Sequence, residues 1–583
     1  MAQRLVYLKL NCRHVGTGAA VFGFANWPVT VGSDDYQPGL DPSINVVRTL
    51  PRNREQHDSL QLVEAEFQRN HTGKVFSQAG TEFDFDDLID PHTLSFKGFA
   101  AEVWVGDYNG TAAPTNTKQK MGGRIIDFQS AGLTRVRVTI EPGVVDLDVP
   151  FEETTYSSPA NTDLTGTVVQ RTFGQIFNCP AVRTTIASDT TPTWQFNGGN
   201  GVTDSVISGA WRIDGMDSSA YPTRPTPGGT HTISENASAG EFTLTSATMV
   251  RESYEGVEIS AFHSGDDVGG ASNPTLRETI IKYILETEGP LTSSDWSESS
   301  MTTACTNNVV GFVVNDYMTI VEILETLLEP QVVFFPDLAG VWQFFRYPAD
   351  VSGETSVYDI GTANLVREPS VRTDDLEPAA TILYEQQRQW AGGRELTGRG
   401  RKRIKKVTKR YEKRLRRYDK NTKKKYRKWK LRQNIISKNP NEPIGQNPDP
   451  FVPPEPPSEP DWQKIIDKHS IDLPLTTWDV STDATILTNY PDAIEEQWET
   501  YVTDTADAGA EGDNTLAWRK VPRQIFTIPV SQRTFSEGYL DLDIGDIFTL
   551  TFPRFGCDAG KKMVCISIDE NVGADLAVVE GWV

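Results

Sequence analysis

The residues best suited to chemistry crowd into one stretch, GRGRKRIKKVTKRYEKRLRRYDKNTKKKYRKWKLRQ, from Gly398 to Gln433. Lys and Arg at this density recognise anions, whether phosphate, carboxylate or an acidic protein face. From Arg394 to Lys438 there are 22 Lys or Arg against three acids (Glu395, Glu412, Asp419), a charge of +19. The whole chain has 56 bases and 79 acids, so the remainder holds 34 and 76, a net −42. Charge segregated this strongly requires a counter-charge, inside the molecule or outside it.

Other chemistries find less support. Cys12, Cys179, Cys305, Cys557 and Cys565 lie far apart or in strand-like surroundings, with no CxxC, which reads as buried thiols and not as a disulfide framework or zinc site. The seven histidines are scattered, and no HExxH, phosphate-cradling glycine loop or GxSxG elbow occurs. Glycosidic chemistry needs two carboxyl groups about 5 to 9 Å apart. The acidic runs TEFDFDDLID and LDLDIGD alternate with Phe or Leu, however, and read as strands with one solvated face. In DENVGADLAVVE, Asp569, Asn571 and Glu580 match calcium-loop positions, but Ala574 replaces the required glycine and the second half is a strand. The expectation is a protein that is not an enzyme and has no cofactor or metal.

The elements that must position the basic stretch come next. At 583 residues the chain divides into several domains. Strands dominate the first part: LVYLKLNC, KGFAAEVWVGDY, GGRIIDFQSAG and TRVRVTIEP, the last with Val136, Val138 and Ile140 alternating with Arg135, Arg137 and Thr139. GAWRIDGM and GEFTLTSATMV continue the pattern. Helical spacing first appears at Leu276, Ile280, Ile281, Ile284 and Leu285, with Asn273 as cap, Pro274 in the first turn and Gly289 at the end. It recurs at Ile320, Ile323, Leu324, Leu327 and Leu328, and a hairpin QVVFFP–DLAG–VWQFFRY follows. DAIEEQWETYV reads as helix. RQIFTIPV, GDIFTLTFP, KKMVCISID and ADLAVVEGWV read as a small antiparallel barrel or sandwich, with Phe548, Leu550 and Phe552 on one face of their strand and Val564, Ile566 and Ile568 on one face of theirs.

Within the basic stretch Ile404, Val407, Tyr411, Leu415, Tyr418, Thr422, Tyr426 and Trp429 recur at steps of three and four, the stripe of an amphipathic helix. The other faces carry Arg401, Lys402, Arg403, Lys405, Lys406, Lys409, Arg410, Lys413, Arg414, Arg416, Arg417, Lys423, Lys424, Lys425, Arg427 and Lys428. Like charges at i, i+4 oppose this helix, so it needs its stripe packed and its charge countered. The counter-charge could be the acidic remainder of this chain or of a symmetry mate, nucleic acid, an acidic protein partner, or a membrane surface. The thin aromatic stripe fits the last least. Nine prolines between Pro440 and Pro460 then mark a linker or a surface-tracking arm. MAQRLVYLKLN reads as a strand and not as a signal peptide, and no apolar run is long enough for a membrane span.

The expected fold is mostly β and multi-domain (α+β), with antiparallel barrel or sandwich domains, a helix–helix–hairpin unit and one long basic helix. The expected divisions are 1–150 and 151–270 (β domains), 271–350 (helix–helix–hairpin), 351–392 (β segment), 393–438 (basic helix), 439–460 (linker) and 461–583 (C-terminal β domain), with discontinuous domains allowed.

Val145 to Val182, VDLDVPFEETTYSSPANTDLTGTVVQRTFGQIFNCPAV, resembles a pattern in tail hub proteins of long-tailed phages and gene transfer agents. The matching positions are Leu147, Asp148, Pro150, Thr154, Thr155, Tyr156, Asp163, Leu164, Gly166, Phe173, Gly174, Asn178 and Pro180. Gly is lacking from the SSPAN turn, and Thr172 stands where the pattern often has Pro. The stretch from Asn273 to Tyr347 is similar to the family's helix–helix–hairpin unit. LDIGDIFTLTFPRFGCDAGKKMVCISID is similar to its ending, through Gly545, Asp546, Pro553, Arg554, Phe555, Gly556 and Gly560. The basic run is unusual for that family. The resemblance implies a homotrimer closing the distal end of the tail tube, with two tube-like β domains per subunit. It further implies contact with the distal tail protein, the tape measure protein and a tail fibre or receptor-binding protein, with DNA in transit as a further partner. The place implied is the virion, after synthesis in the host cytoplasm. The alternatives are a nucleic-acid-binding protein acting through 399–432 and a tail-tip cell-wall-degrading enzyme.

Overall fold

A computed structural model describes the chain apart from residues 1–2, 15–17, 32–33, 53–61, 69–75, 79–80, 84–93, 111–112, 132–134, 143–144, 152–153, 157–163, 186–192, 196–210, 214–215, 218–231, 237–240, 246–258, 266–275, 387, 389–392, 397, 439–450, 456, 458–469, 474–476, 533–539 and 575. The chain is mostly β, in several domains with mixed and antiparallel sheets. Among the described residues no sheet closes into a barrel, so of the two expected forms, barrel or sandwich, the closed one is absent.

Among the described residues the first sheet has nine strands. Gln3–His14, Ala100–Tyr108, Thr115–Ser130, Arg135–Pro142 and Val63–Gln68 follow one another as antiparallel neighbours. Val136, Val138 and Ile140 are fully buried, while Arg137 on the opposite face pairs with Glu66 of the next strand at 2.8 Å. The period-2 pattern thus decides which face becomes core. The amide of Gln68 bonds to the Gly39 carbonyl and that of Asp41 to the Glu66 carbonyl. These bonds bring the far edge towards the segment after Asp34–Pro38 without forming a ladder.

The region 171–265 forms a five-stranded and a four-stranded sheet, the former shared with Gly311–Val314. Arg171–Pro180 lies beside that strand so closely that a Cβ at Gly311 would sit 1.8 Å from the Gln175 carbonyl oxygen, and one at Gly174 2.0 Å from that of Val310. Gly174 also has φ +71°. Only glycine fits this approach.

Helix Arg277–Tyr283 runs into a π turn, Ile284–Glu288, that ends at Gly289. It starts one residue after Leu276, which is 38 % exposed and is not part of the buried face. Asn273 and Pro274 lie outside the described residues. A short helix, Glu298–Ala304, escaped the sequence reading because its ESSMTTA offers almost no apolar period. Ile320–Leu327 follows, fixed by a capping box in which the Thr319 hydroxyl accepts from the Glu322 amide and the Glu322 carboxylate from the Thr319 amide.

The hairpin Val332–Pro336 with Trp342–Arg346 is the hinge of the packing. Its Val332, Phe334, Trp342 and Phe344 enter a core with Leu147, Phe151, Phe173, Ile280 and Ile323. Val333 and Phe335 enter another with Ile544, Phe548, Val564 and Ile568. Alternation along one hairpin therefore joins two cores.

The second of those cores lies on a seven-stranded sheet built from Gln524–Val530, Ile547–Leu550, Lys561–Asn571 and Leu576–Trp582, with distant strands Asn45–Thr49, Tyr358–Ile360 and Ser370–Thr373 added. LDLDIGD is not a ladder strand. Leu540, Leu542 and Ile544 are buried and Asp541 is exposed, so the alternation is real, but Ile544–Gly545 turns before any partner strand is reached. DAIEEQWETYV is not a helix either. Ile494–Trp498 pairs in parallel with Ala379–Gln386, leaving Glu495 and Gln497 outward and Ile494 and Trp498 half-buried. The helix of this region is Thr505–Arg519, capped by the Asp504 carboxylate, which accepts from the amides of Ala506 and Asp507.

Candidate functional site

The basic helix is a branch of a strand pair. Ala379–Gln386 is antiparallel to Thr477–Thr482, and further along both segments Gly393–Leu396 pairs with Ser470–Leu473. The intervening chain leaves the pair as one helix, Gly398–Lys438, of 41 residues. At 1.5 Å per residue it is about 60 Å long.

Its stripe is met by the proline-rich segment returning along it. The Tyr418 hydroxyl donates to the Pro454 carbonyl at 2.7 Å. Phe451 meets the Tyr426 ring edge-on at 5.3 Å between centroids and that of Trp429 at 6.1 Å, while Tyr426 and Trp429 stack at 5.8 Å. Moving forward from Phe451 to Pro454 moves back along the helix from Trp429 to Tyr418, so the two run antiparallel. A proline segment suits this role because it is extended and needs no ladder partners. Val407, Tyr411, Leu415, Tyr418, Thr422 and Trp429 are half-buried, and Tyr426 is 45 % exposed.

Every Lys and Arg from Lys406 to Lys430 is exposed, and among the described residues none of them stands in an ion pair. The helix backbone includes Arg401, Lys402, Arg403, Ile404 and Lys405, whose side chains lie outside the described residues. The structure thus brings Tyr418, Tyr426 and Trp429 together on one seam and spreads the bases over the other faces. Sequence reasoning missed Phe451 and Pro454 as partners of the stripe. The available signal was an aromatic residue inside a proline run.

The buried acids are occupied by structural work. Arg277 bridges Glu329 at 3.1 Å and Glu511 at 2.8 Å, and Arg346 also holds Glu329. Burial opposes ionisation of Glu329, but Arg277 and Arg346 outweigh it and keep the carboxyl below its ordinary range. Burial and the Glu511 charge push the Tyr384 hydroxyl well up, so it stays protonated and donates to Glu511. A second buried cluster joins the first and last sheets: Lys120 reaches Glu570 at 2.8 Å, and Arg48 lies 3.5 Å from Glu570 and against Asp543. A cavity of about 230 Å³ is lined by Arg52, Tyr347, Asp374, Trp518 and Trp582, where Asp374 already accepts from Arg52 at 2.8 Å and from the Trp582 indole at 3.1 Å. All five cysteines are buried and unpaired, as the sequence led one to expect. In DENVGADLAVVE the paired strands Lys561–Asn571 and Leu576–Trp582 flank a turn in which the Asn571 side chain accepts from the amides of Gly573 and Ala574. Among the described residues no helix is long and apolar enough to cross a membrane, and no group of His, Cys, Asp or Glu is arranged to hold a metal ion.

No protein-family model matches the sequence, and no curated protein does. Solved structures similar to this chain include phage tail and virion proteins. A 43 kDa tail protein of prophage MuSo2 from Shewanella oneidensis aligns over 99 % of this chain and 98 % of its own at 10 % identity and a TM-score of 0.36. A tail protein from Neisseria meningitidis MC58 aligns over 99 % and 96 % at 8 % identity and a TM-score of 0.35. Prophage tail protein gp18 from Listeria monocytogenes EGD-e aligns over 99 % and 94 % at 8 % identity and 0.32. A chain of a native gene transfer agent virion aligns over 49 % of this chain and 85 % of its own, at 14 % identity and 0.15.

Proposed function

We propose that this chain is a structural subunit of a phage tail, the hub that closes the distal end of the tail tube. The observation that carries the reading is the order and joint packing of the three hub-like stretches. Leu147 and Phe173 from the first, Ile280, Ile323 and Phe334 from the second, and Ile544 and Phe548 from the third meet on the two faces of one hairpin.

In this role the chain acts by assembly and not by catalysis. It forms a homotrimer, sits between the tail tube with its distal tail protein and a fibre or receptor-binding protein, and receives the end of the tape measure protein. The bases of 399–432, exposed from Lys406 to Lys430, are its polyanion interface, and three copies of the stretch from Arg394 to Lys438 total +57 (3 × 19). Light scattering of the pure chain, at low and high salt and beside a 399–432 deletion, tests the assembly. The expected mass is close to three times 64.7 kDa. A stable dimer or tetramer would sink the threefold hub.

A further inference from the structure

The basic helix leaves open what kind of anion it meets, and the returning proline segment bears on that choice. An acidic protein helix or coiled coil would dock along the apolar seam, where packing adds to charge. Between Tyr418 and Trp429 that seam is taken by Phe451 to Pro454 of the same chain. What remains is a rod with bases on its open sides: Arg416 and Arg417, Lys423 to Lys425, Arg427 and Lys428, all exposed. Only Glu412 and Asp419 interrupt its positive charge. Tyr426, 45 % exposed and stacked on Trp429, adds an aromatic surface among these bases.

We infer that the covered basic helix binds the phosphodiester backbone of nucleic acid, through its bases on the sides that the proline segment leaves open. The inference rests on reading 399–432 as a polyanion interface, and it holds whether or not the chain forms a trimer. Binding of this kind is counter-ion release. It needs many unpaired cations at close spacing and no shape-matched groove, and exposed aromatics beside phosphate contacts add stacking to single strands. The acidic remainder of the chain, at −42, opposes approach. That repulsion fades over about 8 Å at physiological ionic strength. Among the described residues the helix meets its root strand Gly393–Leu396 and the proline segment, and its bases from Lys406 to Lys430 are exposed.

The test is fluorescence anisotropy of the full chain with a labelled duplex of about 30 base pairs and its single strand, between 50 and 200 mM salt. Six phosphate contacts would cost about 10³-fold in affinity over that range. Substituting Lys423, Lys424 and Lys425 together by Gln should weaken binding and flatten the log–log salt slope by up to about 2.7, three contacts at about 0.9 each. These lysines are exposed and unpaired, so an unchanged circular dichroism spectrum is expected. A second variant, Arg416→Gln with Arg417→Gln, should do the same in smaller measure. No binding at 50 mM salt overturns the inference, as does a slope that neither variant changes. Polyglutamate competing as well as DNA also overturns it, in favour of an acidic protein partner. A trimer without DNA binding removes this inference alone, whereas DNA binding by a stable dimer removes the hub and leaves the inference standing.

Discussion

At the scale of single residues the clearest strain is electrostatic, at Asp546 in the turn that precedes strand Ile547–Leu550. Burial pushes its carboxyl up to about 6, and the nearby Asp543 and Asp541 charges add to this against the help of the Asp543 amide and Arg48. The folded state therefore binds a proton more tightly than the unfolded chain, whose aspartates titrate near pH 3.9. Any stabilisation from that proton is complete below about pH 4 and is lost as pH rises through about 6. At pH 7.5 the ionised carboxylate costs on the order of 3 kcal/mol. Asp546→Asn keeps an oxygen to accept from the Asp543 amide, a bond of 2.7 Å, and removes the charge. The variant should raise the urea midpoint relative to the parent at pH 7.5 and match it near pH 4. An equal advantage at both pH values would mean that packing, and not ionisation, separates the two proteins.

At the scale of elements, the basic helix depends on a segment that the sequence presents as a linker. Repulsion among its bases disfavours an isolated helix, and Phe451 and Pro454 supply the packing against Tyr418, Tyr426 and Trp429 that offsets it. Phe451→Ala should loosen the pair, and limited trypsin digestion reads this directly because the helix is crowded with exposed Lys and Arg. Cleavage within 398–438 should be several-fold faster in the variant, and added salt, which screens repulsion, should narrow the gap. Equal rates at low salt would show that the segment does not support the helix. How much of this was legible follows from what each pattern encodes. The alternation at Val136, Val138 and Ile140 and the period from Ile320 to Leu327 each report local burial, and each is found in the structure, whereas the stripe from Val407 to Trp429 is half-buried with Tyr426 exposed. Thr505–Arg519 was illegible because its inner face mixes Ala508, Leu516 and Trp518 with polar and small residues: Gly512 lies under Tyr384 and Ser481, and Glu511 is buried there for its bond to Arg277. Ile494–Trp498 misled because Glu495 and Gln497 on a half-buried strand look like the polar side of a helix. The hub-like stretches marked which segments resemble one family but not that a hairpin joins their cores.

At the scale of the whole molecule, the first and last sheets are joined by charges that no spacing in the sequence announces, since Glu570 lies 450 residues from Lys120 and further still from Arg48. Glu570 is fully buried. Burial alone would favour its neutral form, but Lys120 at 2.8 Å and Arg48 at 3.5 Å hold the carboxyl below its ordinary range. With a folded-state value below that of the unfolded chain, its contribution is complete above the unfolded value near pH 4.3 and is lost as pH falls through the folded one. Glu570→Gln leaves Lys120 buried beside a neutral partner, although Arg48 keeps Asp543. The expected cost at pH 7 is about 3–5 kcal/mol, shrinking towards acid pH as the parent loses the same interaction. The cost comes from a buried charge without a partner and not from the value of the pair itself. Replacing both members by apolar residues, Lys120→Met with Glu570→Leu, should therefore recover most of the loss. Differential scanning calorimetry of the parent, the single and the double variant at pH 7 decides the point. A double variant as unstable as the single one would mean that the two sheets are held by the geometry of the ion pair, and the account given for the junction would fail.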